Sequence, residues 1–311
     1  MTQVLAPFPD MLPMALQLAP LIGARIVPIG WRHFPDGESL ITLSGDVTDC
    51  DLAVLCTLRD PDRHMLPLRF AAATARELGA ASTGLIAPYL AYMRQDRRFS
   101  AGQAVSAPLF AACLAESFDW LATADPHLHR IPDLDSLYSI PARRVETAPA
   151  LAEWITRSVA DPILTGPDEE SRQWVARVAA QAGCDFEVLG KHRSGDRCVE
   201  ISPPAAAALS AGTPVILDDI ASSGRTMVKT IERLRQAGAS PPVCIVIHAV
   251  FAEGALADIQ AAGARRIIST DSIPHETNGI RIAPLLADAV RRLSGGRKMA
   301  RNVRKTQADR D

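Results

Sequence analysis

Short apolar runs alternate along the chain with longer segments that read as helices. Asp51–Thr57 reads as a buried strand, Arg63–Leu78 as a helix, Thr83–Ala87 as a strand, Val105–Glu116 as a helix and Trp120–Ala124 as a strand. The alternation restarts after Pro149. Leu151–Val159 and Glu170–Ala182 then read as helices, and Pro162–Thr165, Phe186–Leu189, Val215–Leu217, Val243–Val250 and Ile267–Ser269 as strands. Such alternation predicts parallel strands with covering helices. Two α/β units of comparable size meet near residues 141–149, where Pro141 and Pro149 interrupt the pattern. No repeat is visible at the level of residue identity.

Three stretches depart from the pattern. Tyr89–Gln103 holds Arg94, Arg97, Arg98, Tyr89 and Tyr92 and reads as a polar loop. Residues 190–213 combine Lys191, His192, Arg193 and Arg197 with an alanine-rich run, Pro203–Ala208. The stretch from Gly295 to Asp311 is basic and poor in apolar residues, and is expected to be a disordered, solvated tail.

Composition narrows the function classes. The 311 residues allow one large or two medium domains, and a formal charge of −2 gives no basic field for nucleic acid. No uninterrupted apolar run approaches the ~20 residues that span a bilayer. The N-terminus has no basic stretch followed by a long apolar one, so the expectation is a cytoplasmic protein. The cysteines, Cys50, Cys56, Cys113, Cys184, Cys198 and Cys244, lack metal-ligand spacing and read mostly as reduced core residues.

The most informative stretch is Val215–Thr226. An apolar strand delivers adjacent carboxylates, Asp218 and Asp219. A small-residue turn, Ser222-Ser223-Gly224, follows and leads into a helix-like run from Thr226 to Ala237. Small hydroxyl residues and Gly let backbone N–H groups approach an anion at a helix N-terminus. A phosphate on the turn, with the carboxylates facing sugar hydroxyls, would make a ribose 5-phosphate cradle. The plainer alternative is a strand–turn–helix whose Asp and Ser cap the helix.

This arrangement resembles the phosphoribosyl-diphosphate motif shared by type I phosphoribosyltransferases and ribose-phosphate diphosphokinases. Other segments favour the diphosphokinases. Phe34-Pro35-Asp36-Gly37-Glu38 is close to their Phe-Ser-Asp-Gly-Glu segment, and Pro88–Arg98 matches their Pro-Tyr-Phe-Gly-Tyr-Ala-Arg-Gln-Asp-Arg-Arg signature at most positions. Asp125-Pro126-His127 falls where they carry Asp-Leu-His, Pro167-Asp168 at their Pro-Asp, and Lys191-His192-Arg193 resembles their Lys-x-Arg. The segments occur in the family's order over about residues 5–295. The resemblance implies two tandem phosphoribosyltransferase-like domains, residues 1–145 and 146–294, with residues 295–311 as the tail.

It further implies Mg²⁺-dependent transfer of the diphosphoryl group of ATP to the anomeric hydroxyl of ribose 5-phosphate, releasing AMP. Ribose 5-phosphate would be held by Asp218, Asp219, Ser222, Ser223, Gly224, Arg225 and Thr226. ATP would be held by Phe34, Asp36, Glu38, Arg94, Gln95 and His127, with the nucleotide pocket completed by a neighbouring subunit of a homo-oligomer. His127 and Asp168 match the Mg²⁺–ATP contacts, and Lys191 and Arg193 would stabilise the transferring group. The chain departs from the family pattern at Glu169-Glu170, where a Gly pair is usual, and at Ser222 and Arg225. A phosphoribosyltransferase and a non-catalytic regulatory paralogue are the competing readings.

Overall fold

The computed structural model describes residues 2–128, 130–189 and 212–294. Lys191, His192, Arg193, Cys198, the alanine-rich run, His129 and the 295–311 tail lie outside the described residues. Among the described residues two compact units emerge: 2–145 together with 283–294, and 146–282. The sequence pattern places 283–294 with the second domain. These residues form a helix that groups with the first unit, where Arg291 donates to the Leu21 carbonyl at 2.8 Å.

In unit 1, strands β1 (Thr2–Pro7), β2 (Ala24–Ile26), β5 (Cys50–Leu55), β6 (Ser82–Ala87), β7 (Trp120–Ala124) and β8 (Ala142–Val145) form a six-stranded sheet in the order β2-β1-β5-β6-β7-β8. Every pairing in it is parallel. Helices Leu12–Ile22, Pro61–Glu77 and Ser106–Ser117 connect its strands. The antiparallel hairpin β3 (Ile29–His33) and β4 (Ser39–Leu43) stands apart from the sheet. In unit 2, β9 (Pro162–Gly166), β10 (Phe186–Val188), β11 (Thr213–Ile220), β12 (Val243–His248), β13 (Arg266–Thr270) and β14 (Asn278–Ile280) form a second parallel sheet, ordered β10-β9-β11-β12-β13-β14. Its helices include Ala148–Ser158, Arg172–Ala182, Arg225–Gln236 and Ala255–Ala262.

The central strands are buried throughout, as parallel strands covered by helices on both faces must be. In unit 2 the two faces have separate cores. Leu151, Ile155, Val175 and Val178 pack on Val215, Leu217 and Ile245. Met227, Ile231, Leu234 and Ile259 pack on Ile216, Cys244 and Val246. Successive side chains of β11 thus serve opposite layers. In unit 1, Gly84 on β6 leaves room for the Trp120 indole, because a Cβ there would lie 1.9 Å from it.

The two sheets have the same strand order. The first strand pairs with the second on one side and with the third inserted strand on the other, so sheet growth reverses between β1 and β5 and between β9 and β11. Crevices at the carboxyl ends of such strand pairs are where open α/β sheets bind ligands.

Boundaries differ from the sequence pattern in instructive ways. β11 extends to Ile220, so Asp218 and Asp219 belong to the strand itself. The expected Glu170–Ala182 helix resolves into a 3₁₀ turn, Glu169–Ser171, followed by the Arg172–Ala182 helix. The Tyr89–Gln103 loop is polar only in its second half: Leu90, Ala91 and Met93 are buried core residues. Among the described residues, no helix is long and apolar enough to cross a membrane.

Candidate active site

The second unit concentrates chemistry at the β9–β11 edge. β11 is buried from Pro214 to Leu217 and emerges half-buried at Asp218 and Asp219. The Asp219 carboxylate accepts from the Ile220 N–H at 2.8 Å. Burial, then the Asp219 charge and a hydrogen bond shared with it, and then the Asp168 charge, push Asp218 well above the ordinary carboxylate range. Crowded carboxylates of this kind hold a proton between them unless a cation or hydroxyl donors relieve the repulsion.

The turn after β11 is held rigidly from below. Ala221 N–H donates to the His248 carbonyl at 3.4 Å, and Ala252 N–H donates to the Ser222 carbonyl at 2.9 Å. Gly224 begins the Arg225–Gln236 helix with a left-handed φ of 70°. A Cβ at this position would stand 3.0–3.1 Å from Ile259 and 3.3 Å from the Ala255 carbonyl oxygen. Glycine therefore answers both the dihedral and the close approach of the Ala255–Ala262 helix. Ser223, Arg225 and Thr226 are exposed and Ser222 is half-buried. The first helical N–H groups have no intrahelical acceptors, so the turn presents donors and hydroxyls to solvent.

Asp168 follows β9 across the same crevice. Its carboxylate accepts from Ser171 N–H at 3.2 Å, and the Ser171 hydroxyl donates to its carbonyl at 2.6 Å. Gly166 makes room for that hydroxyl, since a Cβ there would lie 2.4 Å from Ser171 Oγ. The cap of this turn is Asp168 itself, rather than Glu169 or Glu170. Glu169 is turned toward Arg172, whose Nη2 donates to Glu169 Oε2 at 3.0 Å, so its charge is engaged along the helix. Among the described residues, no three His, Cys, Asp or Glu side chains converge as a metal cluster. A Mg²⁺ ion here would take one or two of these carboxylates and fill its shell with waters and substrate phosphates, as that ion commonly does.

Unit 1 holds the nucleotide-side candidates. Phe34, Asp36 and Glu38 form the tip of the β3–β4 hairpin: Phe34 N–H donates to the Glu38 carbonyl at 2.8 Å, Gly37 N–H to the Phe34 carbonyl at 2.9 Å, and Glu38 N–H to Asp36 Oδ1 at 3.1 Å. The Phe34 ring is 38% exposed, and the Arg32 guanidinium lies 4.6 Å from its centroid. One ring face is thus backed by a cation, and the other can meet a base.

In the Arg94-Gln95-Asp96 segment, Gln95 Oε1 accepts from the Ser106 hydroxyl, and Asp96 is consumed structurally. Arg130 Nη1 donates to both Asp96 oxygens, at 3.0 and 3.2 Å, which ties this loop to the one carrying His127. Arg98 donates to the Gln103 carbonyl at 2.8 Å, and Arg97 lies over Phe99 at 4.9 Å. His127 is half-buried and follows Asp125, which has a φ of 28° and accepts from Arg144 Nε and Nη2 at 3.1 and 2.9 Å. Arg32, Arg130 and Arg144 were not singled out from sequence; their partners become evident only in the fold.

Known proteins agree with this architecture. Residues 9–117 match the family model of the N-terminal domain of ribose phosphate pyrophosphokinase, and residues 134–303 match that of the phosphoribosyl transferase domain. The chain is 33% identical over 283 residues to a ribose-phosphate pyrophosphokinase of Methanopyrus kandleri, covering 90% of this chain and 95% of that one. It is 31% identical over 279 residues to the Methanothermobacter thermautotrophicus protein of the same name, covering 89% and 96%. A crystal structure of phosphoribosylpyrophosphate synthetase from Mycobacterium smegmatis superposes with a TM-score of 0.79 at 22% identity, covering 95% of this chain and all of that one. A doubled parallel-sheet fold with an acid pair and a turn of small hydroxyl residues at the second switch point fits a phosphoribosyl-type enzyme. Within that class, the chain belongs to the ribose-phosphate pyrophosphokinase (diphosphokinase) family.

Proposed function

We infer that the chain transfers the β,γ-diphosphoryl group of ATP to the anomeric hydroxyl of ribose 5-phosphate, giving 5-phosphoribosyl 1-diphosphate and AMP. The carrying observation is the unit 2 crevice, where Asp168, Asp218 and Asp219 stand beside the Ser222–Thr226 turn in a member of this family. The hydroxyl oxygen attacks Pβ, the bond from Pβ to the oxygen bridging Pα breaks, and AMP leaves with that oxygen. Backbone N–H groups and hydroxyls of Ser222, Ser223, Gly224, Arg225 and Thr226 hold the 5-phosphate. Asp218 and Asp219 accept from the ribose hydroxyls and so orient the anomeric carbon. Positioning of this kind supplies much of the catalysis in phosphoryl-type transfer.

Phe34, Asp36 and Glu38 recognise adenine, with Arg94, Gln95 and His127 toward the ATP phosphates. The hairpin tip is exposed within its own unit, which supports a nucleotide pocket completed by a neighbouring copy in a homo-oligomer. Mg²⁺ held through Asp168 would neutralise charge on the phosphate oxygens, and His127 is the second candidate contact for Mg²⁺–ATP, on its own unit. Lys191 and Arg193, both outside the described residues, complete the charge complement around the transferring group. An assay with ATP, Mg²⁺ and ribose 5-phosphate, following AMP and the phosphoribosyl product together, tests the assignment. Its failure with folded protein overturns it.

A further inference from the structure

The two switch points share a framework but are filled differently. Each first strand leads into Pro-Asp, Pro9-Asp10 in unit 1 and Pro167-Asp168 in unit 2, with a 3₁₀ turn at Pro9–Met11 or Glu169–Ser171. Each third inserted strand leads to a helix whose N-cap has a left-handed φ, 57° at Asp60 and 70° at Gly224. In unit 2 the turn between strand and helix is polar and partly open. In unit 1 Leu58, Arg59 and Asp60 stand where unit 2 has Ser222, Ser223 and Gly224; Leu58 is buried, Arg59 half-buried and Asp60 exposed, and Phe8 is buried beside them, its N–H donating to the Leu55 carbonyl at 2.9 Å. That crevice has no turn of small hydroxyl residues.

An aromatic cluster occupies it instead. The Phe8 and Trp31 rings meet edge to face with centroids 5.5 Å apart, and the buried His64 ring lies 5.1 Å from Trp31 and 6.1 Å from Phe8. His64 is itself pinned, its Nδ1–H donating to the Asp60 carbonyl at 2.9 Å. The Arg63 guanidinium covers Trp31 at 5.1 Å. Trp31 belongs to β3 of the hairpin, and its indole N–H donates to Ser39 Oγ on β4 at 3.1 Å, so one side chain grips both strands. Its neighbours Ile41 and Leu43 pack on the same core. Arg32 and Phe34 alternate to the opposite, outward face. A lone two-stranded hairpin is marginal in water, so its orientation comes from what it packs against.

We propose that the unit 1 switch point is an aromatic seat for the hairpin and that Trp31 is a positioning residue. Seated between Phe8, His64 and Arg63, it sets where Phe34, Asp36 and Glu38 present themselves to the nucleotide. This role rests on the adenine assignment of the hairpin tip made above.

Steady-state kinetics on the full chain test it. Trp31→Ala is expected to raise the KM for ATP by about tenfold while the KM for ribose 5-phosphate stays within about twofold. Trp31→Phe should recover most of the loss. Ser39→Ala, which removes only the acceptor of the indole N–H, should give a smaller rise of the same sign, and it serves as the test if Trp31→Ala does not fold. An unchanged ATP KM in folded Trp31→Ala, or equal losses toward both substrates, overturns the proposal. Phe34→Ala separates the two layers of the argument. If it raises the ATP KM while Trp31→Ala and Ser39→Ala do not, the seat alone fails. If Phe34→Ala leaves the ATP KM unchanged, the adenine assignment fails and the positioning role fails with it.

Discussion

Asp218 holds its proton more tightly in the folded chain than in the unfolded one, because of burial and of the Asp219 and Asp168 charges. The native state therefore gains stability as pH falls through the raised native pKa toward the unfolded value, and ionising Asp218 in the folded chain opposes folding. Asp218→Asn is expected to raise the metal-free melting temperature at neutral pH by roughly a few degrees. The gain should shrink through that same pH window and vanish below it, while use of ribose 5-phosphate collapses. Calorimetry across pH in the presence of a chelator checks this, and a less stable Asn variant at neutral pH would contradict it. Lys191→Ala and Arg193→Ala should each lower kcat far more than they weaken substrate binding, as expected of groups that meet charge developing in the transition state. Near-normal kcat in both would refute that role. The acid pair and the turn after it were legible from residues alone, because they are contiguous in sequence. The supports were not: Asp96 meets Arg130 and Asp125 meets Arg144 only once the chain has folded.

Long apolar runs announced most of the central strands, though not β1, since strands buried on both faces need apolar residues at nearly every position. Three-residue edge strands such as β2, β10 and β14 carry far less pattern. β10 was nevertheless read from sequence, while β2 and β14 were not. The Pro-Asp-Gly turn of the hairpin is visible in sequence, but the inward place of Trp31 is not, because it comes from Phe8 and His64, distant in sequence. Strand contact also makes a sharp stability prediction. Gly84 on β6 faces Trp120 on β7 so closely that a methyl group would overlap the indole. Gly84→Ala should cost about 3 kcal/mol by displacing that ring. Denaturant unfolding measures it, and a change within experimental error would show that the sheet can shift to admit the methyl.

At the scale of the molecule, one topology is used twice with different fillings, a polar crevice in unit 2 and an aromatic seat in unit 1. If the hairpin tip serves a neighbouring copy, specific activity should fall on dilution to concentrations where light scattering reports a monomer. Full activity of a monomer would refute the shared pocket and leave the reaction assignment intact. The reaction itself is tested most directly by ³¹P NMR of the purified protein with ATP, Mg²⁺ and ribose 5-phosphate. The account predicts loss of ATP with equimolar growth of AMP and of a sugar diphosphate that retains its 5-phosphate resonance. Formation of ADP with a sugar bisphosphate, or ATP left intact by folded protein, would contradict it.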